Sequence, residues 1–237
     1  MKIKAISHIG HREENQDAYF HDTGKYPLSA LLSVIDGMGG LSYGLEAALT
    51  TRSVFENKWN EVTEIEELQL FAKESIKQAH EALQTLGERH NTSVGAACAL
   101  LFIGQNQTAS VHTGDCRIIQ LRDNQIIDST IDFSVAQILL MQGKIAKHEL
   151  ADHASQNKLT SYLGMSGMLD FDIKQWHAQK NDTFVVCSDG FWELFNDQEL
   201  ITLLQSPIVE DNIKQSIEQR IMARKNHDNS TVIIAQL

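Results

Sequence analysis

Leu31-Leu32-Ser33-Val34-Ile35-Asp36-Gly37-Met38-Gly39-Gly40 is the stretch from which the rest of the chain is most easily read. Leu31 to Ile35 is a short apolar run that stops at Asp36-Gly37, as a buried strand stops at a turn. The same juxtaposition of aspartate, turn residue and apolar run occurs in Asn15-Gln16-Asp17, Gly114-Asp115-Cys116-Arg117, Ser188-Asp189-Gly190 and His227-Asp228-Asn229. Upstream, Lys2 to Ser7 alternates polar and apolar residues like a half-buried strand. Downstream, Gly95 to Ile103, Thr108 to Thr113 and Arg117 to Leu121 read as strands in direct succession. Arg122-Asp123-Asn124 links the last of these to Gln125–Ile127 as a tight hairpin. Such succession fits antiparallel hairpins and not a repeated strand–helix–strand unit.

Helical periodicity fills the gaps. Tyr43 to Trp59 reads as one helix. Ile65, Leu68, Ala72, Ile76, Ala79, Leu83 and Leu86 form the apolar stripe of a second, with Thr63-x-x-Glu66 as a capping box. Asp132 to Gly143 is expected to be helical, with Val135, Ile138 and Leu139 on one face. Residues 144–168 are polar, His-rich and irregular. Thr183 to Cys187 is a buried strand, Asp197 to Leu204 and Val209 to Arg224 are helices, and Ser230 to Ala235 is a final strand. The expected class is α+β, an antiparallel sheet packed under helices.

The chain has 237 residues, 42% of them hydrophobic, enough for one sizeable core. Only two prolines occur, Pro27 and Pro207, and no linker-like tract, so residues 1–237 are read as a single domain. The formal charge is −11 and there is no basic stripe, which argues against nucleic acid as a partner. Cys98, Cys116 and Cys187 lie in strand-like contexts without framework spacing, as core side chains in a reducing compartment do. Met1 to Ser7 lacks the apolar segment of a signal peptide, and no apolar run reaches the ~18 residues of a membrane span. The expected location is the cytoplasm, with no membrane partner.

Aspartates at strand ends beside glycine suit a cluster of hard oxygen ligands, which is stable when it holds divalent cations. Arg12 lies just before the first segment and is suited to bind an anion. Carboxylates, cations and an arginine together point to phosphate hydrolysis. The motifs also resemble those of the metal-dependent protein phosphatases of the phosphatase 2C type, over essentially the whole length. Arg12-Glu13-Glu14-Asn15-Gln16-Asp17 is similar to the first motif of that family, and Val34 to Gly40 to the second in its bacterial form. Val111-His112-Thr113-Gly114-Asp115-Cys116-Arg117 is similar to the central Gly-Asp-Ser-Arg motif, with Cys for Ser. Cys187 to Phe191 and Asp228 to Val232 are similar to the last two.

The resemblance implies a fold, an α/β sandwich of two antiparallel sheets flanked by helices. It also implies roles. Asp17 and Asp36 would bind a two-metal centre, with Asp36 bridging and the Gly37 carbonyl a further ligand. Asp189 and Asp228 would complete the opposite ion. Asp115, with Asp189, would form a weaker third position; its structural alternative is a turn aspartate paired with Arg117. Arg12 would hold the substrate phosphate, or else pair with Glu13 or Glu14. Mg²⁺ or Mn²⁺ suits such ligands, and no Cys/His cluster suits zinc. Two ions roughly 3.5–4 Å apart activate a bridging water for in-line attack on phosphorus. The implied activity is hydrolysis of phosphoserine and phosphothreonine in proteins by a monomeric phosphatase that opposes a bacterial Ser/Thr kinase.

The chain departs from the family pattern in places. Gln16 replaces a common glutamate and Met38 a histidine described as a general acid in eukaryotic relatives. His11 nearby reads as a solvated surface residue. Thr160 to Gly164 lacks an arginine and Asp132-Phe133-Ser134 a histidine, both within the flap-like segment of about 132–168 that the family turns toward substrate. Ser188 to Glu193 resembles compact bacterial members that oppose kinases, including some tied to type VI secretion; Phe191 and Trp192 within it read as core. The rival readings are a degenerate phosphoprotein-binding scaffold and a hydrolase of small phosphate esters. Intact Asp17, Asp36, Asp189 and Asp228 argue against the first, and a flap able to hold a peptide argues against the second.

Overall fold

The computed structural model describes residues 1–23, 30–38, 43–61, 68–104, 107–150, 153–205 and 210–237. Two antiparallel sheets of five strands pack face to face. The first has β1 (Lys2–His8), β10 (Ser230–Gln236), β9 (Thr183–Cys187), β6 (Arg117–Arg122) and β7 (Gln125–Ser129), in that order. The second has β2 (Asp17–Asp22), β3 (Ala30–Gly37), β4 (Ala96–Ile103), β5 (Thr108–Thr113) and β8 (Asp172–Trp176). Helices α1 (Gly44–Glu61) and α2 (Leu68–His90) cover the second sheet. Helices α4 (Asp189–Trp192), α5 (Asp197–Gln205) and α6 (Glu210–Met222) cover the first. The short α3 (Val135–Met141) lies in the irregular segment.

The strand period of two builds these four layers. In β3, Leu32 and Val34 face the interior between the sheets, where they join Ala97, Ala99, Ile118, Phe184, Val186 and Ile233. Leu31 and Ile35 point the other way, into Phe55 and Trp59 of α1 and Ile76, Ala79 and Leu83 of α2. In β10, Ile233 and Ala235 face the interior while Val232 and Ile234 meet Ile213, Ile217 and Ile221 of α6. A strand buried on both faces reads as a continuous apolar run, which is why β3, β4, β9 and β10 were legible.

Antiparallel alternation has one consequence for the site. β3, β5 and β9 end where β2, β6 and β10 begin, as Asp17 opposite Asp36 and Arg117 and Val232 opposite Cys187 show. All these ends lie on one edge of the sandwich. The β6–β7 turn has Asp123 and Asn124 at φ +49° and +60°, the left-handed pair that a two-residue hairpin requires.

The expected helix over Asp132–Gly143 is shorter. Asp132 and Phe133 lie outside it, Ser134 caps the helix by accepting from the amide of Gln137 (3.2 Å), and only Ala136 of α3 is buried. Asp132 is instead taken by an arginine, described below. β2, β8 and α4 are elements that periodicity did not reveal. β8 is an edge strand whose Asp-Ile-Lys-Gln-Trp carries little apolar signal, and α4 is a single turn. The capping box Thr63–Glu66, with Ile65, lies outside the described residues, as do Pro27, Gly39, Gly40, Pro207 and Val209. Among the described residues no helix is long and apolar enough to cross a membrane.

Phe102 is 1% exposed and packs between Trp59 (centroids 6.4 Å apart) and Phe71 (5.1 Å, edge to face). Phe102→Ala should lower unfolding stability in urea by about 3–5 kcal/mol, from lost burial plus a cavity. Leu70→Ala on the exposed side of α2 should change it by no more than about 0.5 kcal/mol.

Candidate active site

The sandwich edge gathers the aspartates singled out in the sequence. Asp17 begins β2 and Asp36 lies opposite it on β3. Two like charges at one cross-strand pair destabilise a sheet unless something compensates. Asp189 follows β9 and opens α4, Asp228 precedes β10, and Asp115 sits in the turn between β5 and β6. Asp17, Asp115 and Asp189 are buried, while Asp36 and Asp228 are partly open.

Local sequence explains the close approach. A Cβ on Gly37 would fall 2.0 Å from the Gly44 carbonyl oxygen and 2.9 Å from that of Gln16, so only glycine lets the start of α1 meet the end of β3. Gly114 has φ +83° and lies against Ala97, which turns the chain so that Asp115 enters the site. Asn229 pins the first motif: its Oδ1 accepts from the Gln16 amide (2.8 Å), and its Nδ2 donates to the carbonyls of Ile9 (2.7 Å) and Glu14 (3.1 Å). Ser188 Oγ donates to Asp17 Oδ2 (2.8 Å) and accepts from the Thr231 amide (3.0 Å).

The carboxylates act on one another electrostatically. Burial, then the charges of Asp189, Asp17, Asp115 and Asp228, holds Asp36 well above the usual carboxylate range. Burial pushes Asp17 up to about 7, against hydrogen bonds from Thr231 and Ser188 and with the help of Asp189 and Asp228. Burial and the charge of Asp228 push Asp189 up to about 6, with Asp36 within hydrogen-bonding reach of it. Burial and Asp189 hold Asp115 well above the ordinary range. Glu193, which the sequence did not single out as a site residue, is pushed up to about 8 by burial and by Asp189. It accepts from Gln156 Nε2 at 2.6 Å.

This donor set fits hard divalent cations. Asp17 Oδ1 is buried without a hydrogen-bond partner, as a ligand oxygen awaiting a cation is. Among the described residues no group of three or more His, Cys, Asp or Glu side chains is arranged to hold a metal ion by itself. Carboxylate and carbonyl oxygens suit hard Mg²⁺ or Mn²⁺, which also keep waters, whereas zinc favours Cys and His. The cysteines are buried and free. Burial pushes the Cys98 and Cys187 thiols up to about 12 and holds Cys116 well above its usual range, so none is poised as a thiolate.

The Arg12 side chain is 48% exposed, and its partner is neither Glu13 nor Glu14. Its Nε donates to Asp228 Oδ1 (2.9 Å) and its Nη2 to Asp228 Oδ2 (2.5 Å). Likewise Arg117 does not pair with the Asp115 carboxylate; it pairs with Asp132. Gln16 Nε2 donates to Glu14 Oε2 (3.0 Å).

Residues 6–223 match the family profile described as protein phosphatase 2C. The chain belongs to the protein phosphatase 2C family. Among its relatives, the serine/threonine phosphatase stp of Listeria innocua is 25% identical over 233 residues, covering 96% of this chain and 91% of that protein. The solved serine/threonine phosphatase of S. agalactiae superposes with a TM-score of 0.86 at 25% identity, over 98% of each chain. The catalytic domain of the phosphatase PstP, solved with two manganese ions, superposes at 0.82 and 23% identity, over 99% of this chain and 97% of that one. The two-sheet fold implied by the motifs is thus the fold observed.

Protons and any bound cations would compete for these carboxylates. In metal-free protein, the raised Asp17 and Asp189 hold protons in the folded state that the unfolded chain releases near 3.8. They therefore contribute stability at low pH that is lost as pH rises through about 6 to 7. Chelator-treated protein should melt at progressively lower temperature across that rise. Mn²⁺ binding should release protons at about pH 6 and fewer at about pH 8, read by calorimetry in buffers of different ionisation enthalpy. Proton release that does not depend on pH would contradict the cluster's electrostatics.

Proposed function

We propose that this chain hydrolyses phosphoserine and phosphothreonine in proteins, with Asp17, Asp36, the Gly37 carbonyl, Asp189 and Asp228 holding two divalent ions. Family membership makes it a metal-dependent serine/threonine protein phosphatase. The observation that carries the reading is the convergence of mutually repelling aspartates on one edge, with a buried carboxylate oxygen of Asp17 lacking any partner. The two manganese ions of the PstP structure agree with the proposed count.

Bound there, the ions would supply an activated water and neutralise charge on the phosphate. Asp36, opposite Asp17 and raised by the charges of the other four aspartates, would serve both ions. Asp115 with Asp189 would hold a third, weaker ion. Ser188 orients the Asp17 carboxylate by its hydrogen bond. Arg12 offers a planar fork of donors, which matches two phosphate oxygens as it now matches the two oxygens of Asp228. Met38, which packs at Gly95, has no proton to give a leaving alkoxide. Mg²⁺ or Mn²⁺ would serve. The enzyme would work in the cytoplasm as a monomer that acts on phosphoproteins and opposes a Ser/Thr kinase; its free, buried thiols agree with a reducing compartment.

Asp36→Asn preserves side-chain volume and removes the shared charge. It should abolish most phosphate release from a phosphothreonine peptide and most Mn²⁺ binding by calorimetry, while circular dichroism stays unchanged. Turnover like that of the wild type would sink the ligand assignment.

Arg12→Ala should lower kcat/KM by roughly 10–100-fold, about 1.4–2.8 kcal/mol of lost phosphate binding. Mn²⁺ affinity should not fall, because the substitution frees Asp228. Lower metal affinity with normal turnover per bound ion would make Arg12 a structural partner of Asp228 instead.

A further inference from the structure

The pair Arg117–Asp132 has no part in the chemistry above, yet it is the most tightly built polar contact next to it. Arg117 begins β6, two residues after Asp115. Its Nε donates to Asp132 Oδ1 (2.8 Å) and its Nη2 to Asp132 Oδ2 (2.6 Å). The Asp132 side chain is 4% exposed and that of Arg117 19%. The guanidinium carbon lies 3.4 Å from the centre of the Trp192 ring, at the end of α4. Trp192 Nε1 in turn donates to the Asp115 carbonyl at 2.9 Å. One side chain thus touches the root of segment 132–168 and the short helix that Asp189 opens, and through Trp192 it reaches the turn that carries Asp115.

The surrounding contacts converge on the same root. The His112 ring bonds through Nε2 to the Ile131 carbonyl (2.9 Å), and the Phe133 amide donates to the Gly114 carbonyl (2.8 Å). Burial lowers the His112 ring below the ordinary imidazole range. At the far end, Thr113 Oγ1 and Ser161 Oγ both donate to the Asp170 carbonyl (2.8 and 2.7 Å). Between its roots the segment returns to the site twice. Gln156 reaches Glu193, and Tyr162 shares the surface of Gly95 with Met38.

A buried ion pair is a poor source of stability, since desolvation cancels much of its attraction. What a bidentate, stacked arginine provides is geometry, because its fork fixes both distance and plane. We propose that Arg117 is a positioning residue that, by clamping Asp132, sets segment 132–168 against Asp115 and Asp189 for turnover of phosphoproteins. This rests on the phosphatase reading above. A peptide must fit beneath or beside the segment, whereas p-nitrophenyl phosphate needs only the ions and Arg12. Loss of the clamp therefore discriminates between substrates, which a general loss of stability does not.

The test compares Arg117→Gln, Arg117→Lys and the double variant Arg117→Gln/Asp132→Asn with wild type, at saturating Mn²⁺ and well below each melting temperature. The double variant leaves no buried carboxylate unpaired and so keeps the experiment open if the single variant folds poorly. Expected are a fall of about tenfold or more in kcat/KM for a phosphothreonine peptide, carried mainly by KM, and a change of less than about threefold for p-nitrophenyl phosphate. Arg117→Lys should fail to rescue, because a point charge lacks the fork and the stacking plane. Hydrogen exchange should quicken within 132–168 and stay unchanged in β9 and β10. A peptide-to-ester ratio like that of the wild type in the double variant, equal losses on both substrates, or full rescue by lysine would each overturn the proposal. Wild-type protein that releases phosphate from neither substrate would overturn the phosphatase reading, and this inference with it.

Discussion

Carboxylates that share one edge of a sandwich repel each other, and this repulsion organises the molecule's chemistry. Asp17 and Asp36 face each other across adjacent strands, and Asp115, Asp189 and Asp228 close in from other strand ends. In the absence of cations the cluster is relieved by protons, by the Ser188 hydroxyl and by the Arg12 fork on Asp228. In the proposed function divalent ions would relieve it better, since each would place two charges among oxygens that are already oriented. The same feature that costs folding stability would then favour cation binding.

The scaffold tolerates this because the rest of it is so well packed. Each sheet buries both faces, one against the other sheet and one against helices, so the strand ends are held by three apolar layers behind them. Backbone economy matters as much. Gly37 lets the start of α1 approach the end of β3 and the first motif, and Gly114 turns the chain at Asp115. Hydrogen bonds from Asn229 and Ser188 then tie the first motif to the last two, over more than 170 residues of intervening chain.

The segment between β7 and β8 joins the same edge by different means. It has little apolar core of its own: within α3 only Ala136 is buried. Polar contacts hold its roots, among them Arg117 to Asp132, while Leu163 sits in the core beneath α2 and pairs with Ala96 of β4.

Strands buried on both faces, long amphipathic helices and aspartate–glycine turns are local patterns, so β3, β4, β9, β10, α1, α2 and the five aspartates were readable in the sequence. Their order also carried the family, because motif spacing is a property of the chain itself. β2, β8 and α4 were not readable, being too short or too polar for periodicity to declare them. Nor were the partners of the arginines. Arg12 has Glu13 and Glu14 beside it and binds Asp228; Arg117 has Asp115 beside it and binds Asp132. Long side chains choose among charges brought near by folding, and proximity along the chain says little about that choice. The raised proton affinity of Asp17, Asp36, Asp115 and Asp189 likewise exists only once burial and mutual approach have been imposed. Sequence determined which residues could make the site; tertiary structure decided which of them feel one another, because electrostatic coupling depends on distance and on excluded water.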